Sequence, residues 1–414
     1  MNAQEIIQTE AKYVLQSYVR PEVVFSHGEG AYLVDTEGKK YLDFASGIAV
    51  TALGHADKEW ATAVSEQAHK LTHVSNLYHS EPHAMLAKRL VENSFADRVL
   101  FCNSGAEANE GALKFARKWA KMAIGDQRLE IEGSESPISN LQSPNLQSQK
   151  TKIVAFSGGF HGRTMGSLSA TYKEQYRAPF GPLVPDVVFV KYNDLDAAAA
   201  AIDDNTCAVI VEPVQGEGGV NPATAVFLQG LRDLCNQHHA ALIFDEVQCG
   251  LGRTGKLWGY QHFGITPDIM TLAKPLAGGL PIGAVLTTQA IADAIKPGDH
   301  GSTFAAGPLV CHAANVVFDR VSQPAFLEQV AHTGAYLRHR LETLETDEIV
   351  EVRGMGLLVG VEMKTAVSPL IAAARAKGLL IISAGENIVR MAPPLIIDES
   401  HVNEAVGILE ACLG

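Results

Sequence analysis

Apolar and polar positions along this chain fall into blocks whose period changes from one stretch to the next. Over residues 5–18, Ile6, Ile7, Ala11, Val14, Leu15 and Tyr18 recur at spacings of three and four, which predicts an amphipathic helix leading into an extended arm. From Gly28 to Asp43, Tyr32, Val34 and Tyr41 alternate with polar residues around Thr36-Glu37-Gly38, so a hairpin or meander outside any central sheet is expected. Helical stretches at 58–71 and 81–94 precede a strand at Arg98–Cys102 and a helix opened by Ser104-Gly105 that runs to about Met122. Short, continuous apolar runs follow at 152–156, 187–190, 207–211, 241–244, 269–273 and 282–287, separated by helical stretches such as 224–238. Runs of that kind, bounded by Gly and Pro, are typical of strands covered on both faces, and their alternation with helices predicts a mostly parallel sheet. After Thr303 the order changes again. Helices near 308–321 and 325–344, strands at 349–352 and 357–363, a helix at 368–377, a strand at 379–382 and a helix at 399–412 predict a compact lobe.

The expected class is α/β: a large domain with a mostly parallel, doubly wound sheet, plus a smaller α+β domain built from the N- and C-terminal segments. The expected boundaries are 1–57 for the N-terminal arm and part of the small domain, 58–305 for the large domain and 306–414 for the rest of the small one. Gly125–Gln149 stands apart. It is rich in Ser, Gln, Asn, Glu and Pro and repeats Asn-Leu-Gln-Ser at 140–143 and 145–148, so a mobile surface insertion without chemistry is expected there.

Composition narrows the class of protein. The 414 residues are 47% hydrophobic and 19% charged, ordinary values for a globular chain. No apolar run reaches the ~18 residues that span a bilayer, and Met1–Tyr18 has neither a signal peptide's apolar core nor a transit peptide's Arg and Ser richness. The cytoplasm is expected, or an organelle if a presequence has been removed. A formal net charge of -13 argues against nucleic acid or an anionic membrane as partner. Anionic small molecules must then be caught by individual arginines. The six cysteines are scattered without a C-x-x-C pair and read as small buried hydrophobes in a reducing compartment. No metal site is expected, since His238-His239 and the His79/His83 neighbourhood lack flanking ligands.

Two of the buried runs end in a single ionisable residue: Asp245 after Ala241–Phe244, and Lys274 after Ile269–Ala273. In an open α/β sheet, ligands lie beyond the carboxyl ends of the strands, so an acid and an amine meet at one crevice. Pyridoxal phosphate asks for that pair, an acid for its ring nitrogen and a lysine for its aldehyde, while a structural Asp–Lys ion pair is the plain alternative. Asn103-Ser104-Gly105-Ala106-Glu107-Ala108 opens a helix after a strand. It reads either as a phosphate cradle or as a capping box of Ser104 with Glu107. Ser157-Gly158-Gly159-Phe160-His161-Gly162-Arg163-Thr164 offers Phe160 to stack on a flat ring and Arg163 to hold a carboxylate, or else a tight turn with a packed Phe and a surface Arg. Val211-Glu212 through Gly219 carries two acids: Glu217 to pair reversibly with an arginine and Glu212 to orient neighbouring groups, or either one to cap a helix or face solvent. Arg390, alone in Ile388-Val389-Arg390-Met391, implies a partner or an incoming anion.

Taken together, Asn103–Ala108, Phe160–Thr164, Glu212–Gly219, Phe244–Gly255, Thr271–Gly283, His300–Phe304 and Val389–Pro394 stand in the order and spacing of the class III pyridoxal-phosphate aminotransferases. The chain resembles that family from about Val14 to its end, Gly125–Gln149 excepted. The resemblance implies the fold type I architecture of pyridoxal-phosphate transferases and a homodimer with shared sites. It implies that Lys274 forms the Schiff base with the cofactor and then acts as base, that Asp245 pairs with the ring nitrogen and that Gln248 lies near the ring hydroxyl. Ser104, Gly105 and Ala106 would hold the phosphate, with Thr303 reaching the phosphate of the other subunit and Ser302 beside it at the substrate. Phe160 would stack on the ring, Arg163 and Arg390 would bind substrate carboxylates, and Glu217 would gate Arg390. Ala106 and Pro275 depart from residues common in the family, Thr and a small residue, and neither change removes a reacting group. Ile48 stands where ornithine-specific relatives carry a tyrosine that contacts the free α-amine, and Tyr18 would line the same pocket. The implied reaction is transamination of N-acetylornithine with 2-oxoglutarate, giving glutamate. Ornithine, succinylornithine and 4-aminobutyrate remain alternative amines, and a nucleotide-binding or purely structural α/β protein remains the reading from outside the class.

Overall fold

The computed structural model describes residues 1–123 and 150–414, so the segment read as an insertion, Gly125–Gln149, lies outside the described residues. A seven-stranded sheet carries the fold, in the order Arg98–Cys102, Gly283–Thr287, Ile269–Leu272, Ala241–Asp245, Thr206–Val211, Lys152–Phe156, Val187–Val190. Only Gly283–Thr287 runs antiparallel to its neighbours. Thr206–Val211, Ala241–Asp245 and Ile269–Leu272 are parallel, and the last of them ends two residues before Lys274, so Asp245 and Lys274 leave the sheet at the same edge.

The continuous apolar runs are explained by burial on both faces. Ile153, Ala155, Ala208, Ile210, Ala241 and Ile243 point to one side, where they pack against Ala108, Ala112, Leu113, Phe115 and Ala116 of the helix Gly105–Ala123. Their alternates Val154, Phe156, Val209, Val211, Leu242 and Phe244 point to the other, against Phe227, Leu228, Leu231 and Cys235 of Ala225–Gln237. The alanines at intervals of four let the first helix approach the sheet closely; at Gly111 an added Cβ would already stand 3.2 Å from Val285. That approach fixes where its N-terminus, and Asn109 one turn later, arrive.

The N-terminal meander Phe25–Glu29, Tyr32–Asp35, Lys40–Asp43 forms a separate sheet with Leu379–Leu380, which pairs in parallel with Lys40–Asp43. A second antiparallel sheet joins Ile349–Met355, Leu358–Met363, Ile388–Met391 and Ile382–Ser383. The single strand expected at 379–382 is thus two short strands in two sheets: the chain turns at buried Ile381 and changes partners. Ile388–Met391, which carries Arg390, is a strand that the apolar pattern did not mark as one. The N-terminal helix is shorter than its periodicity suggested. It spans Ala3–Tyr13 and buries no residue, and Val14, Leu15 and Tyr18 lie exposed beyond it in extended chain. Among the described residues no helix is long and apolar enough to cross a membrane, and Cys102, Cys207, Cys235, Cys249 and Cys311 are free and buried.

Trp258 is fully buried, packs against Phe318 and donates its indole N–H to the Asn93 carbonyl at 2.6 Å. Trp258→Ala should cost about 3–5 kcal/mol, read as a lowered urea midpoint with an unchanged slope.

Candidate active site

Asp245 ends the central strand and is 3% exposed. A buried carboxylate needs donors. Its Oδ2 accepts from Asn109 Nδ2 at 2.7 Å and from His161 Nδ1 at 2.8 Å, and its Oδ1 accepts from the Val247 amide at 3.0 Å. Thr271, on the neighbouring strand, donates to Asn109 Oδ1 and so fixes which way that amide faces. Asn109 also donates to the His161 carbonyl, and Thr171 holds the His161 amide. Burial alone would lower the His161 pKa; the hydrogen bond and charge of Asp245, helped by Glu212, reverse this and hold it above the ordinary imidazole value. Oδ2 is therefore saturated, whereas Oδ1 keeps an unused acceptor position.

Glu212, just past the end of Thr206–Val211, accepts from the amides of Phe160 at 2.9 Å and Gly216 at 3.1 Å. It thereby ties the Phe160 loop to the Glu217 loop. Burial, with Asp245's charge adding, raises its pKa to about 7 against the opposing pull of His161.

Lys274 starts a short 3-10 turn, Lys274–Ala277, with a left-handed φ of 28°. Its amine makes no ion pair within 4.0 Å among the described residues; Asp245 pairs with His161 instead, so the simple Asp–Lys ion pair is not what the structure contains. Burial first, and then the Arg390 charge, lower the Lys274 pKa to about 8, outweighing Asp245, Glu212 and Glu217. Arg390 is 3% exposed and pairs with Glu217 Oε2 at 2.8 Å and with Gln248 Oε1 at 3.2 Å, while its buried Nε has no partner among the described residues. Gln248 thus faces Arg390 in this structure.

At the helix Gly105–Ala123 the capping box is altered. Ser104 Oγ accepts from the Glu107 amide as expected, but the Glu107 carboxylate turns to Asn103, accepting from its amide at 2.6 Å and its side chain at 2.9 Å. The N–H groups of Gly105 and Ala106 have no acceptor among the described residues. Asn103 also donates to Ser302 Oγ at 2.9 Å, which fastens the Ser302–Thr303 loop to this turn. Thr303 and Phe304 are exposed.

Other predicted residues are not gathered in one chain. Arg163 is exposed, its guanidinium 3.3 Å from the Tyr176 ring centroid and 5.7 Å from that of Phe160. Tyr18 is 73% exposed, with the Arg20 guanidinium 6.0 Å from its ring centroid. Ile48 is 48% exposed on a turn lying against Lys274–Ala277. Asn109 and Thr271 were missed by motif reading. Asn109 sits at a buried face of an otherwise alanine-lined helix, and a polar residue there was the one signal available.

The group that fits this arrangement has a protonated ring nitrogen for the open Oδ1 of Asp245, a carbonyl for the unpaired amine of Lys274 and an anion for the free amides at the helix N-terminus. An α/β protein with those features belongs to the pyridoxal-phosphate transferases. The sequence profile described as aminotransferase class III matches residues 13–413, and the chain belongs to that family. It is 49% identical to the mitochondrial acetylornithine aminotransferase of Alnus glutinosa over 99% of this chain and 88% of that one. It is 47% identical to the succinylornithine transaminase of Salmonella typhimurium, over 94% and 92%. The ornithine aminotransferase of Toxoplasma gondii superposes with a TM-score of 0.90 at 31% identity, covering 100% of this chain and 95% of that one; a second structure of that enzyme holds pyridoxal phosphate at partial occupancy in its active site.

Asp245→Asn removes the charge that counters burial at His161. The His161 pKa should fall, followed through its ring proton resonance by NMR titration.

Proposed function

We propose that this class III aminotransferase transfers the terminal amine of N-acetylornithine to 2-oxoglutarate, giving N-acetylglutamate 5-semialdehyde and glutamate. The observation that carries the reading is the pairing of an amine without an ion-pair partner, Lys274, with a carboxylate, Asp245, that keeps one open acceptor at the neighbouring strand end. Pyridoxal phosphate, when bound, supplies a carbonyl that accepts the amine and a ring that draws off the electrons left when a proton is removed. Lys274 would hold that carbonyl and then move the proton at the amine-bearing carbon. A pKa near 8 makes the neutral amine available close to neutral pH, where an ordinary lysine is almost wholly charged. Asp245, steadied by His161 and Asn109, would keep the ring nitrogen protonated. Ser104, Gly105 and Ala106 would take the phosphate at the helix N-terminus, and Phe160 would cover the ring.

Arg390 would bind the α-carboxylate of glutamate and 2-oxoglutarate. Glu217 neutralises it while the acylated amine is bound, and its side chain, 29% exposed, can swing into water at little cost when a dicarboxylate arrives. Arg163 would take the carboxylate of the acylated amine. An acylated α-nitrogen suits apolar Ile48, whereas a free ammonium there would lose water without gaining a partner. A homodimer is supported by the exposure of Leu77, Tyr78 and Phe304, 83%, 72% and 70% respectively, on two segments that Asn76 joins through the Ala305 carbonyl. Thr303 would then reach the phosphate bound by the second copy and Tyr18 would close the substrate pocket. The relatives from Alnus and Salmonella, named for acetylated and succinylated ornithine, support an acylated substrate.

Three outcomes are expected. With the holoenzyme, kcat/KM for N-acetylornithine exceeds that for ornithine by at least about tenfold; equal values would remove the substrate assignment. Lys274→Ala abolishes the borohydride-trappable imine and lowers kcat by about a thousandfold or more. For the wild type, kcat rises with pH and levels above about 8, because Lys274 acts as base once substrate has displaced it, and its lowered pKa sets where the neutral amine dominates.

A further inference from the structure

Ser46, Gly47, Ile48 and Ala49 have φ values of 45°, 63°, 68° and 63°. Together they make one turn of left-handed helix containing three non-glycine residues, one of them β-branched. Such backbone persists only where its surroundings over-determine it. Here they do so at several points. Asp43, 2% exposed, accepts with Oδ1 from the amides of Ala45 at 2.9 Å and Ser46 at 2.8 Å, and its Oδ2 is bonded to His55 Nε2 at 2.9 Å. Ser46 Oγ donates to the Ala392 carbonyl at 2.5 Å, the Ala392 amide donates to the Phe44 carbonyl at 2.8 Å, and the Leu395 amide donates to the Ala52 carbonyl at 2.8 Å. Ala392 lies two residues after Arg390. Ala49 is buried beside Val214 and Cys249, while Ile48 is left half-exposed.

We infer that Asp43 and Ser46 are positioning residues that hold this turn in register with the Arg390 strand, so that Ile48 meets the substrate's α-nitrogen at a fixed distance from Arg390. The inference deepens the aminotransferase reading and rests on it. Discrimination between an acylated and a free amine depends on excluding water: a free ammonium pressed against Ile48 stays unpaired, whereas an amide loses less. If the turn relaxes, water reaches the ammonium and the penalty disappears. Selectivity should therefore fall without a matching fall in the chemical step.

The test compares N-acetylornithine with ornithine in holoenzyme of the wild type, Ser46→Ala, Asp43→Ala and Asp43→Asn. In Ser46→Ala and Asp43→Ala the ratio of the two kcat/KM values should move toward unity by about tenfold, mainly through KM, with kcat for N-acetylornithine largely kept. Asp43→Asn retains an oxygen for the two amides and should restore most of the wild-type ratio. Ser46→Ala alone decides the matter if Asp43→Ala does not fold. An unchanged ratio in the folded variants, or a uniform loss of kcat with both amines, would overturn the inference. A wild type that prefers ornithine would remove the proposed substrate and the inference with it, whereas an unchanged ratio in variants of a wild type that prefers N-acetylornithine would overturn the inference alone.

Discussion

The rest of the site depends on keeping the Asp245 carboxylate charged at the end of a strand that is buried on both faces. A carboxylate in that position is costly unless donors surround it. The fold supplies them from three different elements: Asn109 from the helix behind the sheet, His161 from the loop after a second strand and the Val247 amide from the chain just beyond. Each donor fixes something else. Bringing Asn109 to Asp245 requires the alanine-lined helix to lie close on the sheet, which sets its amide-rich N-terminus beside the same crevice. Holding His161 places Phe160 on its loop, and Glu212 ties that loop to the one bearing Glu217.

The second constraint is the mutual repulsion of Lys274 and Arg390. Burial first, and then the charge of Arg390, favour the loss of a proton from Lys274, so the lysine becomes the group that titrates. Glu217 satisfies the arginine and is the member of the pair that stands partly open to solvent. Strained backbone concentrates nearby: Lys274 and the Ser46–Ala49 turn all have positive φ. Each such non-glycine residue costs on the order of 1–3 kcal/mol, offset by hydrogen bonds to Asp43 and to the Arg390 segment.

The relatives named for acetylornithine and succinylornithine stand at nearly equal identity to this chain, 49% and 47%, and the ornithine-acting Toxoplasma enzyme shares its fold at a TM-score of 0.90. Fold and overall similarity therefore belong to the reaction class, and the choice of amine must lie in a few local contacts. In the reading proposed above, Ile48 and the turn that carries it make that choice.

The period of the apolar residues by itself determined the central sheet, because a strand covered on both faces leaves an uninterrupted run whatever its neighbours are. It also exposed Asp245 and Lys274 at the ends of two such runs, and Arg390 alone among the apolar residues of 388–391, since a lone charge beside apolar residues has no local explanation. What the pattern left open were features that depend on a distant partner. The run at 379–382 divides between two sheets, the periodic segment at 5–18 has no surface to bury its last residues against, and Glu107 turns to Asn103 when a capping box pointed it at Ser104. Asn109, Thr271, Asp43 and Ser46 are unremarkable in a linear reading, because a polar side chain acquires its meaning from the group it meets. Only the tertiary structure brings Asn109 to Asp245 across 136 residues and Ser46 to Ala392 across 346, and those contacts turn a set of strand ends and loops into one site.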